Sequence, residues 1–171
     1  LITSSAASDV YKRQVSRGPG SYTGLRIGVS AAKGLCFAND IPLVSVSSLE
    51  ILANSSNFNG IIIPTIDARR DEVYSSAFFQ SNMISKEKPE IIVSESFIEY
   101  SKNNNIIIVG NGQFKCEKII KKHKKIFFDK NIINPSSKYM PELSYIKFIN
   151  NEFEDLAYFE PTYLKEFKTN L

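Results

Sequence analysis

The clearest pattern of apolar and polar positions along this chain is a helix-like run over residues 24–39. Apolar residues recur there at helical spacing on two sides, and only a narrow polar stripe separates them. A helix that is buried on one side normally carries a single apolar face. Two faces predict that the helix packs on the chain's own sheet with one face and is covered on the other. The second face could be covered by the same domain or by a partner subunit. The first face comprises Leu25, Val29, Ala32 and Cys36, the second Ile27, Ala31, Leu35 and Ala38, and the stripe Arg26, Ser30 and Lys33.

The rest of the pattern alternates between short strands and helices. Two apolar runs, residues 60–68 and 73–80, flank the charged residues 69–72 and predict a β-hairpin. Ser47 followed by Glu50 has the capping-box spacing of a helix start. Mixed strands and helices without internal repeats predict an α/β fold with a mixed sheet. Further strands are predicted at residues 41–46, 91–93, 106–109 and 125–128, and helices at residues 47–54, 114–124 and 142–151.

A glycine-rich turn precedes the first helix. Gly18 and Gly20 around Pro19 permit a tight turn, and Ser21 or Thr23 can cap the helix by accepting a bond from a backbone N–H. A turn of this kind gathers unpaired N–H groups in one concavity, which makes it a candidate anion site. No Gly-Lys-Ser/Thr follows, and the spacing differs from that of the dinucleotide fingerprint. The candidate residues are Gly18, Gly20, Ser21, Thr23 and Gly24.

Composition narrows the class of protein. The chain has 171 residues, 43% of them hydrophobic and 23% charged, with a net charge of +3. These values are typical of a soluble globular protein with one domain or two small lobes, and no apolar run reaches the length of a membrane span. Cys36 and Cys116 are far apart in sequence, which predicts buried thiols in a reducing compartment, hence a cytoplasmic protein.

The residue inventory offers little for catalysis. His123 is the one histidine and lies in Lys121-Lys-His-Lys-Lys, so neither a histidine-rich metal site nor a Ser-His-Asp triad is predicted. Asp67 and Glu72 flank Arg69 and Arg70, which favours a structural salt-bridge cluster over a catalytic pair. The lysine-rich residues 115–125 fit either a contact with tRNA phosphates or a solvated helix face, and the solvated face is the commoner case.

Four blocks carry a family resemblance. Residues 17–38, then Ile-Pro-Leu-Val-Ser-Val-Ser-Ser-Leu-Glu at 41–50 and Ile-Asp-Ala-Arg-Arg-Asp-Glu-Val-Tyr at 66–74, resemble the bacterial TsaB (YeaZ) family. Pro161-Thr-Tyr-Leu-Lys is similar to the family's closing Pro-x-Tyr-Leu-Arg, with Lys165 in place of arginine. The blocks stand in family order and span nearly all of the chain from Val15.

The resemblance implies a two-lobed actin-like/Hsp70-like ATPase (ribonuclease H-like) fold, with mixed sheets flanked by helices. It implies a role in forming N6-threonylcarbamoyladenosine in tRNA next to the anticodon. The resemblance implies that the family member is a catalytically silent scaffold that binds the TsaD transferase subunit. It also implies that a TsaE-like ATPase joins this complex and that the chain contacts tRNA through the complex. A second copy of the chain is an alternative partner. No cofactor is expected on this subunit, and ATP is a candidate ligand of the complex.

The glycine-motif helix resembles a family helix that packs against the partner. The expected interface residues are Leu25, Arg26, Val29, Ala32, Lys33 and Cys36. The alternative is an ATP-binding or ATP-hydrolysing enzyme of the same fold, in which the glycine turn would bind phosphate.

The chain is predicted to divide into three parts. The first 14 residues show no sustained period and are expected to be a non-native leader, with an ordinary flexible N-terminal arm as the alternative. Residues 15–56 are expected to form the remainder of the first lobe, and residues 57–171 the second lobe with the C-terminal segment. The family's first strands and first helix have no counterpart ahead of the glycine motif, so the expectation is an N-terminally truncated chain with an incomplete first lobe.

Overall fold

The computed structural model describes residues 13–165. The described chain is a mixture of helices, parallel strands and antiparallel strands, which confirms the predicted α/β class. It divides into two compact units: the first contains the residues up to Ile51 together with Ser136–Thr162, and the second contains Leu52–Pro135 and the residues from Tyr163. The sequence did not predict that residues 136–162 return to the first unit. The predicted leader lies outside the described residues except for Arg13 and Gln14, which begin the first strand.

The first unit is built on two parallel strands, β1 (Arg13–Gly18) and β2 (Leu43–Ser47). Helix α1 (Tyr22–Asn39) connects them, and helix α2 (Ser48–Asn54) follows β2 directly. The capping box that begins α2 is confirmed, because the backbone N–H of Ser47 donates to Glu50 Oε2 at 3.0 Å and that of Leu49 to Ser47 Oγ at 3.1 Å.

Helix α4 (Met140–Ile149) packs on the two strands through both apolar and polar contacts, and its Met140 and Leu143 lie against Val46 of β2. Ser144 donates to Gln14 Oε1, and Lys147 Nζ donates to the carbonyl oxygen of Ser45 at 3.1 Å. Ile146 and Ile149 of this helix are both about half exposed. The inward side of α4 therefore combines apolar packing with hydrogen-bonded polar groups, which would be costly to bury without partners.

The strands of the second unit are β3 (Ile61–Asp67), β4 (Glu72–Phe79), β5 (Asn82–Ile91), β6 (Ile106–Val109) and β7 (Ile126–Phe128). They form a five-stranded mixed sheet in the order β5-β4-β3-β6-β7. The predicted hairpin is confirmed, since β3 and β4 pair antiparallel, and β5 extends them. Strands β6 and β7 continue the sheet parallel to β3. Helix α3 (Gln113–Ile119) and a short 3-10 helix (Ile98–Ser101) accompany the sheet.

Two predictions in the second unit are wrong. The strand predicted at residues 91–93 belongs to a longer strand, the ten-residue β5, which ends at Ile91. Because β5 is exposed at the edge of the sheet, its sequence is mostly polar and lacks the apolar pattern that predicts a strand. The lysine-rich helix predicted over residues 114–124 ends at Ile119. Ile120 is buried and extended there, and the backbone N–H of Lys121 donates to the carbonyl oxygen of Ser94 at 3.0 Å. A continued helix would stack lysines three and four residues apart, where like charges repel.

None of the helices among residues 13–165 combines the length and the apolar character needed to cross a lipid bilayer.

Candidate protein interface

The glycine turn before α1 is tied to its own unit. Ser21 caps the helix, as predicted, by accepting from the backbone N–H of Gly24 at 3.3 Å. Gly18 has φ +99°, and a Cβ there would lie 2.8 Å from a methyl group of Leu25, so a side chain is excluded by both conformation and space. Leu25 also lies against Gly20. An apolar side chain therefore packs against the glycines of the candidate anion site.

One face of α1 forms the core of the first unit. Val29, Ala32 and Cys36 are at most 3% exposed and pack with Val15 and Leu43 of the two strands. Burial raises the pKa of the Cys36 thiol, an effect partly offset by the charge of Arg13. These three predicted interface residues are occupied by contacts within the chain.

The other three predicted residues lie at the margins of that face. Leu25 packs on the glycine turn, and Lys33 Nζ donates to the carbonyl oxygen of Phe159 at 2.9 Å, which ties α1 to the returning segment 136–162. Arg26 is exposed, with its guanidinium 4.6 Å from the centre of the Tyr22 ring. Three of the six predicted interface residues are therefore buried in the first unit, and the other three lie beside them.

The opposite face of α1 is apolar and exposed. Ile27 is 63% exposed and Phe37 82%, with Leu35 beside them at 40%. Gly34 lies two turns after Ile27, and a Cβ there would meet no atom within 4 Å. We call this surface the outer face of α1; it comprises Ile27, Ala31, Gly34, Leu35, Phe37 and Ala38. The second apolar face predicted from the sequence corresponds to this surface. Periodicity alone does not tell which of the two faces of the helix is buried in the chain's own core.

The carboxylates of the hairpin turn are held by lysines. Asp67 pairs with Lys115 at 2.9 Å, and Glu72 pairs with Lys165. Lys165 Nζ also donates to the carbonyl oxygen of Ala68 at 3.1 Å and lies 5.7 Å from the centre of the Tyr74 ring. The predicted salt-bridge cluster is therefore confirmed, but its cations are not the two arginines of the turn. Lys165 of the closing block serves as a structural clamp.

The pKa shifts of the titratable groups in this unit have structural causes. Burial tends to raise the pKa of Asp67, but hydrogen bonds from Lys115 and from the backbone of Arg69 outweigh it and leave the pKa lowered. Burial raises the pKa of Cys116 to about 12, so this thiol stays protonated and unreactive near neutral pH. His123 accepts at Nδ1 from the backbone N–H of Lys125 at 3.3 Å. Within residues 13–165, no three histidine, cysteine, aspartate or glutamate side chains converge as a metal site.

Comparison with known proteins gives consistent matches along the chain. A family model described as TsaD, tRNA N6-adenosine threonylcarbamoyltransferase, matches residues 6–168. The tRNA threonylcarbamoyladenosine biosynthesis protein TsaB of Bacillus subtilis (strain 168) is 33% identical over 167 residues, covering 94% of this chain and 72% of that protein. The protein of the same name from Haemophilus influenzae is 30% identical, covering 87% of this chain and 67% of its own length.

Solved structures agree with the sequence relatives. A Pseudomonas aeruginosa protein described as similar to peptidase YEAZ has a TM-score of 0.77 at 25% identity, covering 90% of this chain and 73% of its own. YeaZ from Pseudomonas aeruginosa has a TM-score of 0.74 at the same identity, covering 90% and 74%. The fold is thus of the actin-like/Hsp70-like ATPase class, with mixed sheets flanked by helices. Within that class the chain belongs to the TsaB (YeaZ) family.

Proposed function

We propose that this chain is a non-catalytic subunit needed to form N6-threonylcarbamoyladenosine in tRNA, and that it acts by binding a TsaD-like transferase through the outer face of α1. The relatives' names supply the pathway, and the exposure of the outer face is the observation that supports the mode of action. A TsaE-like ATPase joining the complex and a cytoplasmic location belong to the same proposal. Two buried free cysteines agree with a reducing compartment.

The chemistry of the outer face favours a protein partner. Large apolar side chains grouped on one helix side are unfavourable in water, and a contiguous patch of this kind usually marks a protein contact. Gly34 and Ala31 are small, so a second helix can approach the backbone closely, while Phe37 offers an aromatic anchor. The charged residues of α1, Arg26 and Lys33, lie off the centre of this face.

The test is a matched pair of charge insertions at exposed isoleucines of helices in the first unit. Ile27→Asp places a carboxylate on the outer face, and Ile149→Asp places one on α4, where the isoleucine is 55% exposed. Ile27→Asp should weaken binding to the TsaD-like subunit by about thirtyfold or more, the effect of losing a hot-spot residue worth about 2 kcal/mol. Ile149→Asp should bind as the parent does.

Calorimetric titration of each chain with the transferase subunit measures this difference, and modification of tRNA by the assembled proteins gives the second readout. Parent-like binding by Ile27→Asp would remove the outer face from the interface. If the parent binds only itself in sedimentation experiments, the partner is a second copy.

The ATP-handling alternative has a separate readout. Titration of the parent chain with ATP and Mg²⁺, followed by a Thr23→Ala variant, tests whether the glycine turn binds phosphate. Saturable binding that Thr23→Ala weakens would favour the enzyme, whereas the packing of Leu25 against Gly18 and Gly20 leads us to expect none.

A further inference from the structure

Positive charge in this chain is concentrated in one segment of the second unit. Residues 102–130 carry eight lysines and two acidic residues, whereas the other 142 residues carry 13 basic and 16 acidic residues. The small net charge of the whole chain therefore conceals a strongly basic region on an otherwise slightly acidic protein. One of the two acids, Glu117, is already paired with Lys130 at 2.9 Å.

The topology of the sheet brings most of this charge to one end. Strands β3, β6 and β7 run parallel, with Ile61 beside Ile106 and Ile106 beside Ile126. The segments that precede these three strands, residues 58–60, 102–105 and 121–125, therefore lie side by side at the amino end of the sheet. The backbone carbonyls of Asn105 and Lys125 accept from Ile61 and Ile106 at 2.9 and 2.7 Å, which fixes the three segments together.

The lysines at this end are available to a ligand. We call the surface the basic end; it comprises Lys102, Lys121, Lys122, Lys124 and Lys125. Lys121, Lys122 and Lys124 are exposed and have no carboxylate partner within the described part of the chain. Lys125 Nζ donates to the carbonyl oxygen of Lys102 at 3.1 Å, which joins two of the segments. The three segments contain no acidic residue.

An aromatic pair lies beside the lysines. The rings of Phe58 and Phe127 are 6.2 Å apart at an interplanar angle of 53°, and Phe127 is 45% exposed on the edge strand β7. The neighbouring asparagines at 59 and 103–105 supply amide donors and acceptors. Lysines that neutralise phosphates, an exposed ring on which a base can stack and amide groups are together the chemistry of an RNA-binding surface.

We propose that the basic end contacts the phosphate backbone of the tRNA substrate directly. This inference rests on the proposed function, because the modification pathway is what brings tRNA to the protein. It adds a contact made by this subunit itself, in the second unit, apart from the outer face of α1. Lysines meet phosphates without reading bases, so the contact positions the tRNA and does not select its sequence.

The test compares equal losses of charge at the two opposite edges of the sheet. Lys122→Gln/Lys124→Gln removes two charges from the basic end next to β7, and Lys86→Gln/Lys88→Gln removes two from the exposed edge strand β5. Fluorescence anisotropy with labelled tRNA, over about 50–200 mM salt, is measured for the full chain alone and with the TsaD-like subunit.

The basic-end variant should bind tRNA about tenfold more weakly at low salt, and the slope of log K against log salt should fall by about 1–2. The β5 variant should match the parent. Phe127→Leu should weaken binding roughly fivefold without changing the slope, because stacking releases no counterions.

Three results would overturn the proposal: no tRNA binding by the parent in either state, equal weakening by both double variants, or lysine-dependent binding to anionic phospholipid vesicles but not to tRNA. Binding to the TsaD-like subunit is measured on the same samples. If that binding is intact while the tRNA prediction fails, only this inference is lost. If the parent does not bind the subunit, the proposed function has failed, whatever the RNA result.

Discussion

The outer face of α1 and the basic end of the second unit are both exposed, but for opposite physical reasons. Lysines at the basic end are well hydrated, so their exposure costs nothing and carries little information by itself. Ile27 and Phe37 on the outer face are exposed against their hydration preference. The apolar surface should gain from burial against a protein and be insensitive to salt, whereas the basic end should gain only from a polyanion and lose affinity as salt rises. The comparison shows that exposure identifies a functional surface only when its chemistry is considered with it.

The largest expected effect tests whether the two faces of α1 are correctly distinguished. Val29 is 3% exposed in the core of the first unit, so Val29→Asp buries an unpaired carboxylate and should lower the free energy of unfolding by roughly 3 kcal/mol or more. Ser30→Asp, at the exposed neighbouring position, should change it by less than about 0.5 kcal/mol. Urea denaturation followed by circular dichroism measures both. Equal stability of the two variants would mean that Val29 does not lie on the buried face of α1.

A glycine substitution sharpens the description of the outer face. A methyl group at Gly34 meets no atom of the described chain, so Gly34→Ala should raise the unfolding free energy by about 0.5–1 kcal/mol through helix propensity. The same methyl group should weaken binding of a closely packed partner helix. Gly28→Ala, equally uncrowded but at the margin of the outer face next to Leu35, should gain similar stability and weaken binding less. Thermal denaturation and calorimetry give the two quantities, and a stabilised Gly34→Ala that binds as well as the parent would argue against close helix packing.

The smallest effect concerns Lys115, a lysine of residues 102–130 that is held by a carboxylate and lies outside the basic end. Lys115 pairs with Asp67, whose pKa is lowered. The stability from this pair is therefore present above the ordinary aspartate pKa and is lost as pH falls through the lowered value. Asp67 is about half exposed, so removing the ion pair by Asp67→Asn should lower the free energy of unfolding by less than about 1 kcal/mol at neutral pH. The same change should make the free energy of unfolding depend less on pH in the acid range.

Asp71→Asn is the control for this prediction, since its carboxylate has no hydrogen-bond or ion-pair partner among residues 13–165. An acid limb that Asp67→Asn leaves unchanged would show that the pair contributes nothing to stability.

Short-range patterns in the sequence predicted the elements whose stability is local. The capping box at Ser47 and Glu50, the cap at Ser21 and the hairpin around residues 69–72 depend on neighbours within a few residues, and all three are confirmed. The α/β class and the family followed from blocks of this kind. The sequence failed at β5, because an exposed edge strand needs no apolar alternation, and at the end of α3, where a long-range bond from Lys121 to Ser94 ends the helix.

What the sequence determined by itself is that α1 has two apolar faces, that the chain has the TsaB blocks, and that its lysines are concentrated between residues 102 and 130. Only the tertiary structure decided which face of α1 is core, because the inward side is selected by packing on β1 and β2 and on a segment more than a hundred residues away. It also decided that three separate segments form one basic end, because the parallel register of β3, β6 and β7 aligns their starts. The periodicity of the sequence shows whether a surface is apolar or charged. Long-range packing determines whether that surface is buried in the core or exposed.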